Sequence, residues 1–121
     1  MPEVKRQGQT SHTNKPWGGF SQFTLNEPTT VKILEVAKGK RFSLQTHKNR
    51  SELWVPLNDG GVATVGEEDF EARAGEEIFI PAGAKHRFFG KDADVKILEI
   101  AFGQFDEADI ERLEDDFGRV N

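Results

Sequence analysis

The 121-residue chain contains no cysteine. That absence removes disulfide staples, thiolate zinc sites and a cysteine nucleophile together, and it suits a reducing compartment. A basic excess is missing too: 16 Lys and Arg stand against 21 Asp and Glu, a formal net charge of −5. The seven acids and two bases of residues 106–121 account for all of that charge. A nucleic-acid binder would carry the opposite sign, so no nucleic-acid partner is expected. No apolar run approaches the ~18 residues of a membrane span. The first 16 residues hold no apolar stretch long enough for a secretory signal. The expectation is a soluble cytoplasmic protein with no membrane partner. Hydrophobic residues make up only 36% of the chain, which is low for a globular domain.

Ten Phe and two Trp partly offset that shortage, because each aromatic side chain buries a large area. The length fits one domain. Residues 1–15 are polar and aperiodic and read as a flexible N-terminal arm, leaving 16–121 as the folded unit. Turn signals are dense from there on, among them Gly18-Gly19, Asn58-Asp59-Gly60-Gly61 and Pro81-Ala82-Gly83. Between them lie short runs rich in Val, Ile, Leu, Phe and Trp at 20–25, 30–37, 41–47, 52–57, 62–65, 70–73, 77–80, 85–89 and 94–102. Many short strands at such spacing predict an all-β antiparallel sandwich or barrel.

One segment departs from this rhythm. Ile110, Leu113 and Phe117 fall at i, i+3 and i+7, the stripe of an amphipathic helix. Asp106 suits an N-cap and Gly118 a C′ position. A short C-terminal helix over about 106–117 is therefore expected, capping the sheet.

His12 lies in the polar arm and has no evident role. His47 and His86 are different. In Arg41-Phe42-Ser43-Leu44-Gln45-Thr46-His47 successive side chains alternate faces, so Ser43, Gln45 and His47 share one face and Phe42 and Leu44 the other. Glu52 follows five residues later, and His86 comes after the turn at Pro81-Ala82-Gly83. Gln45, His47, Glu52 and His86 together offer two nitrogens and two oxygens, a donor set suited to a divalent metal. Without a metal, the same residues would form a polar lining.

The spacing Gly39-x5-Gln45-x-His47-x4-Glu52, followed by Gly75-x5-Pro81-x-Gly83-x2-His86, resembles the paired signature of the cupin superfamily. Gln stands where most members have the first His. The resemblance implies a small jelly-roll β-barrel with one metal inside. A narrower likeness spans residues 15–120. Lys15-Pro16-Trp17-Gly18-Gly19-Phe20, Ser43-Leu44-Gln45-Thr46-His47, Arg50-Ser51-Glu52-Leu53-Trp54, Ile80-Pro81-Ala82-Gly83-Ala84-Lys85-His86-Arg87 and Asp109-Ile110-Glu111-Arg112 are similar to segments of the cupin domain of type II phosphomannose isomerases. In that family the domain often follows a mannose-1-phosphate guanylyltransferase domain, which has no counterpart in these residues. The family's three consecutive histidines become His47-Lys48-Asn49, and the turn at 56–61 is one residue longer.

The resemblance implies one divalent ion (Zn, Mn, Fe, Co or Ni) on Gln45, His47, Glu52 and His86, and a sugar-phosphate substrate. It further implies aldose–ketose exchange of the mannose 6-phosphate to fructose 6-phosphate type, through an enediolate. Glu52 is a ligand or a base, and His86 and a metal-bound hydroxide are the other candidate bases. Arg50 neutralises an oxyanion or is an exposed loop cation. Arg112 and Arg119 either close over a sugar phosphate or pair with nearby acids. Lys32 is a weaker candidate, Trp17 reads as core, and Trp54 can line the site. A homodimer is expected, since barrel edges need cover. Another metal-dependent cupin enzyme, such as a dioxygenase, and a non-catalytic ligand-binding cupin remain alternatives, because fold does not fix function.

Overall fold

The computed structural model describes residues 10–119. In chain order the strands are β1 (Ser11–Lys15), β2 (Gly18–Gln22), β3 (Thr29–Val36), β4 (Leu44–Thr46), β5 (Arg50–Pro56), β6 (Gly61–Val65), β7 (Glu68–Ala72), β8 (Ile78–Ile80), β9 (His86–Phe89), β10 (Val95–Gly103) and β11 (Glu111–Glu114). They pair antiparallel into a four-stranded sheet of order β3-β10-β5-β8 and a five-stranded sheet of order β11-β4-β9-β6-β7, with β1 and β2 in a separate hairpin. This is the all-β barrel that the strand rhythm predicts.

The core between the sheets is built by strand parity. On β5 the inward positions run Glu52, Trp54, Pro56; on β9 they run His86, Phe88; on β10 they run Glu99, Ile97, Val95. Each strand thus passes from a polar to an apolar inward residue, which fills one end of the interior with hydrocarbon and leaves the other end polar. Trp54 and Phe88 are fully buried and meet edge to face with ring centroids 5.9 Å apart. Burying a side chain of Phe size is worth roughly 1.5–3 kcal/mol, and the larger indole somewhat more. Leu53 and Val55, on the opposite parity of β5, join Ile100 and Phe102 in a second cluster. That explains why β5 reads as an almost unbroken apolar run.

One expectation is corrected. The segment 106–117 is not helical; no helix occurs among the described residues. Instead β11 pairs with β4, Glu111 opposite Thr46 and Arg112 opposite Gln45. The residues that suggest helix caps form turns here. The Asp106 carboxylate accepts from the Ala108 N–H at 2.9 Å, and the Asp115 carboxylate accepts from the N–H groups of Phe117 and Arg119. Asp side chains stabilise such local turns as readily as helix starts. The pairing completes the three-residue strand β4, and the supposed apolar stripe is left open, with Leu113 and Phe117 exposed. Part of the expected arm is paired. Residues 11–15 are strand β1, with His12 opposite Ser21 and Lys15 opposite Gly18. Residues 1–9 of the expected arm lie outside the described residues. Trp17, at the hairpin turn, is 73% exposed and is not part of the core.

Candidate metal centre

At the polar end of the barrel, His47, Glu52 and His86 bring one donor atom each within 4.8 Å of one another, and all three are buried. Four elements supply them and their neighbour Gln45. Gln45 lies on β4 with its backbone paired to His86 at the start of β9. His47 follows β4 directly, and Glu52 is an inward position of β5. The Pro81–Lys85 turn delivers His86, and Gly83 makes it possible. Its φ is +86°, a conformation that glycine takes without strain, and its N–H donates to the His47 carbonyl at 2.8 Å. The turn is thereby tied to the neighbouring imidazole's own backbone.

Both imidazoles are held by their outer nitrogens. His86 Nδ1–H donates to the Ala84 carbonyl at 2.9 Å, and His47 Nδ1–H donates to the Asp109 carbonyl at 2.7 Å. With Nδ1 protonated, each ring turns an Nε2 lone pair inward, the tautomer a metal-ligating histidine needs. His86 Nε2 and Glu52 Oε1 are buried, 3.4 Å apart, and neither has a hydrogen-bond partner. Two facing acceptors without a proton or cation between them are costly to bury, so the residues fit a divalent ion. His47 Nε2 accepts from Arg50 Nη2 at 3.2 Å. The Gln45 amide oxygen accepts from Ser43 Oγ at 2.6 Å while its nitrogen lies 3.3 Å from His47 Nε2. A half-turn of that amide would give the oxygen to the site and leave Ser43 as acceptor.

Electrostatics follow from burial. His86 is pushed down to about 4 by desolvation, and burial also holds His47 below its usual value, with the Arg50 guanidinium adding to the effect. Both rings are therefore neutral at pH 7 and able to coordinate. Burial raises Glu52, against the pull of Arg50. Glu99, which the sequence reading passes over, is pushed up to about 7 by burial and by the neighbouring Glu52 charge. Its carboxylate accepts from Trp54 Nε1–H at 3.0 Å, and on its other side β10 pairs it with Lys32. The available signal was an acid at the inward parity of Val95 and Ile97.

Gln45, His47, Glu52 and Glu99 line a cavity of about 330 Å³, together with Lys32, Phe42, Arg50, Glu107, Arg112 and Arg119, with His86 buried behind its wall. Phe42 lines it alongside Gln45 and His47, because regular alternation begins only at Leu44. Arg50 is buried and not a loop cation. Its Nε donates to Glu52 Oε2 at 3.0 Å, its Nη1 to the Asp106 carbonyl, and the guanidinium lies 4.3 Å over the Phe105 ring. Lys32 pairs with Glu107 at 2.6 Å. Arg119 is committed to Asp115, whereas Arg112 Nε is buried without a partner. Trp54 stands behind His86, centroids 5.5 Å apart, as a wall and not a platform. His12 sits on the hairpin beside Ser21. Lys48 and Asn49 have exposed side chains and contribute backbone N–H groups, both to Asp109. A larger hollow of about 640 Å³, lined by Asp59, Asp69, Arg73 and Lys91 among others, contains none of the buried donors.

A two-sheet barrel with inward imidazoles and a carboxylate at one end defines a cupin domain. Solved structures share this fold. Capsular polysaccharide assembling protein CapF from Staphylococcus aureus superposes with a TM-score of 0.65 at 17% identity, over 87% of this chain and 34% of that one. A dTDP-4-dehydrorhamnose 3,5-epimerase from Bacillus anthracis does so with a TM-score of 0.66 at 10% identity, over 86% and 75%. The chain belongs to the family described as Mannose-6-phosphate isomerase C-terminal, whose profile matches residues 3–115. Among curated relatives, the alginate biosynthesis protein AlgA of Pseudomonas aeruginosa is 30% identical over 127 residues, covering 99% of this chain and 26% of the relative. A mannose-1-phosphate guanylyltransferase of Klebsiella pneumoniae is 34% identical over 107 residues, covering 87% and 23%. The chain thus spans about a quarter of the length of the curated relatives it matches.

Proposed function

We propose that this domain is a metal-dependent aldose–ketose isomerase for a sugar phosphate, with mannose 6-phosphate and fructose 6-phosphate as the pair. The observation that carries the reading is the buried His47–Glu52–His86 cluster beside Arg50, in a chain of this family. Gln45, His47, Glu52 and His86 would hold one divalent ion of the Zn, Mn, Fe, Co or Ni kind, for which an N₂O₂ donor set is suitable. Such an ion supplies Lewis-acid stabilisation of the oxyanion charge that develops as the carbonyl migrates.

The chain's own groups do the rest. Isomerisation moves a proton between C1 and C2 through an enediolate, so the site needs a base that can take up and return one proton. Glu52 is the first candidate, with an Oε1 that makes no hydrogen bond within the protein. His86 is the weaker candidate for that proton, because its Nδ1–H is bound to the Ala84 carbonyl and its one lone pair, on Nε2, would be taken by the ion. Arg50 sets Glu52 in place and puts positive charge beside the reacting oxygens. Arg112, with a buried donor still open, can take a phosphate oxygen with its forked guanidinium. Phe42 and Leu34 close the cavity's apolar side.

The test is a coupled isomerase assay on protein loaded in turn with each of the five metals. Turnover of mannose 6-phosphate is expected, absent in His47→Ala and unchanged in His12→Ala. A folded, metal-loaded sample that turns over no hexose phosphate would overturn the reading in favour of a binding or oxygen-activating cupin.

A further inference from the structure

We infer that Asp109 is a positioning residue of the metal centre, clamping the terminal segment onto the loop that carries His47 so that this ring keeps its metal-ready tautomer. The inference rests on the metal reading above, not on the isomerase one.

Asp109 makes three contacts with three consecutive residues. Its carbonyl accepts from His47 Nδ1–H at 2.7 Å. Its carboxylate accepts from the Lys48 N–H through one oxygen and from the Asn49 N–H through the other, each at 2.9 Å. Charge-assisted bonds to two successive amides fix both the distance and the orientation of the carboxylate. The carbonyl of the same residue is thereby held where the imidazole needs it. A carbonyl can only accept, so it selects the Nδ1–H form and leaves Nε2 unprotonated, an acceptor for Arg50 on the side of Glu52 and His86. The two contacts are separable in kind: the side chain positions, and the backbone orients the ring.

The rest of the segment supports this arrangement. It leaves β10 at Gly103, whose φ is +103° and where a Cβ would stand 2.9 Å from the Asn49 carbonyl. The chain then crosses the cavity mouth. Asp106 offers its carbonyl to Arg50, Glu107 its carboxylate to Lys32, and β11 pairs with β4 opposite Gln45. Asp109 lies between these contacts, at the point where the segment meets a candidate ligand. The ordinary alternative is a loop staple that serves stability alone. It would leave the tautomer of His47 and the ligand field unaffected.

The experiment compares wild type, Asp109→Ala, Asp109→Asn and His47→Ala in the full chain. Co(II) affinity is read by chelator competition, the ligand field by the visible Co(II) spectrum, and the His47 tautomer by ¹⁵N NMR of the metal-free protein. Loss of an outer partner of a metal-bound histidine weakens binding by about 10–100-fold. Asp109→Ala keeps that carbonyl but frees it to shift, so a loss up to that size is expected, with a changed spectrum and a mixed His47 tautomer. Asp109→Asn keeps one acceptor and should fall between. Unchanged affinity, spectrum and tautomer in Asp109→Ala, with Co(II) lost in His47→Ala, would overturn this inference and leave the metal reading standing. Retention of Co(II) by His47→Ala would overturn both. If Asp109→Ala does not fold, Asp109→Asn decides alone, an unchanged spectrum and tautomer counting against the clamp.

Discussion

The free oxygen of Glu52 and the free nitrogen of His86 face each other at 3.4 Å inside a part of the barrel where each residue is only 1% exposed. Arg50 balances the other Glu52 oxygen but does not reach this pair. A cation bound here would satisfy both acceptors. Chelation should therefore lower the melting temperature of protein purified with its metal. At a free metal concentration of about 100 times Kd, binding adds about 2.7 kcal/mol to native stability. For a domain of this size that corresponds to roughly 10 °C. Calorimetry with and without chelator checks it, and no shift in a metal-containing sample would contradict it.

Single substitutions should rank the donors. His47→Ala and His86→Ala each remove an inward lone pair and should reduce bound metal to background by elemental analysis. Gln45→Ala removes a weaker, neutral oxygen donor and should leave a measurable fraction bound. Unchanged stoichiometry in a His47→Ala, His86→Ala double variant would exclude the site.

Glu99 makes a test through pH. Its carboxyl titrates near 7 in the fold and near 4.5 in a free chain. A raised carboxyl contributes its full stability below pH 4.5 and loses it as pH rises through 7. In metal-free protein, Glu99→Gln should flatten the fall in urea stability between pH 5 and pH 8. His86 acts in the opposite sense, since burial depresses it to about 4. Its contribution is present above 6.5 and lost as pH falls to 4, and it is common to both proteins. Equal slopes for wild type and Glu99→Gln would show that Glu99 does not hold its proton into the neutral range.

Arg50 joins Glu52, His47, the Asp106 carbonyl and the Phe105 ring. Arg50→Ala leaves a buried carboxylate unpaired, which costs about 3–5 kcal/mol. Any isomerase turnover should fall about 10²–10³-fold, as when an oxyanion donor is removed. Arg50→Lys keeps the charge without the fork and should recover much of the stability but little of the rate, measured by urea unfolding and the coupled assay.

The strands were legible because their apolar runs end at residues that make turns, as at Asn58-Asp59-Gly60-Gly61 between β5 and β6. That His47, Glu52 and His86 would come together was legible through the cupin-like spacing that joins them, since strand parity alone speaks only for Gln45 and His47. The terminal segment misled because Asp106, Asp115 and Gly118 serve turns and helix ends equally well. Only the unpaired backbone of β4, which no local pattern reveals, decides between them. Glu99 escaped notice because Val95-Lys96-Ile97-Leu98-Glu99-Ile100 looks like any strand with two surface charges. Its meaning comes from the register, which sets Lys32 on one side of it and Trp54 on the other.

Hydrogen exchange gives the loop between β4 and β5 another character. Amides in exposed loops ordinarily trade their hydrogens with solvent at close to free-chain rates. Those of Lys48 and Asn49 are bound by a carboxylate 61 and 60 residues further along the chain. They can exchange only when that distant stretch lifts away. Two surface hydrogens thus keep time for the uncovering of the cavity, and their exchange rates would report how often the barrel opens without any ligand being added.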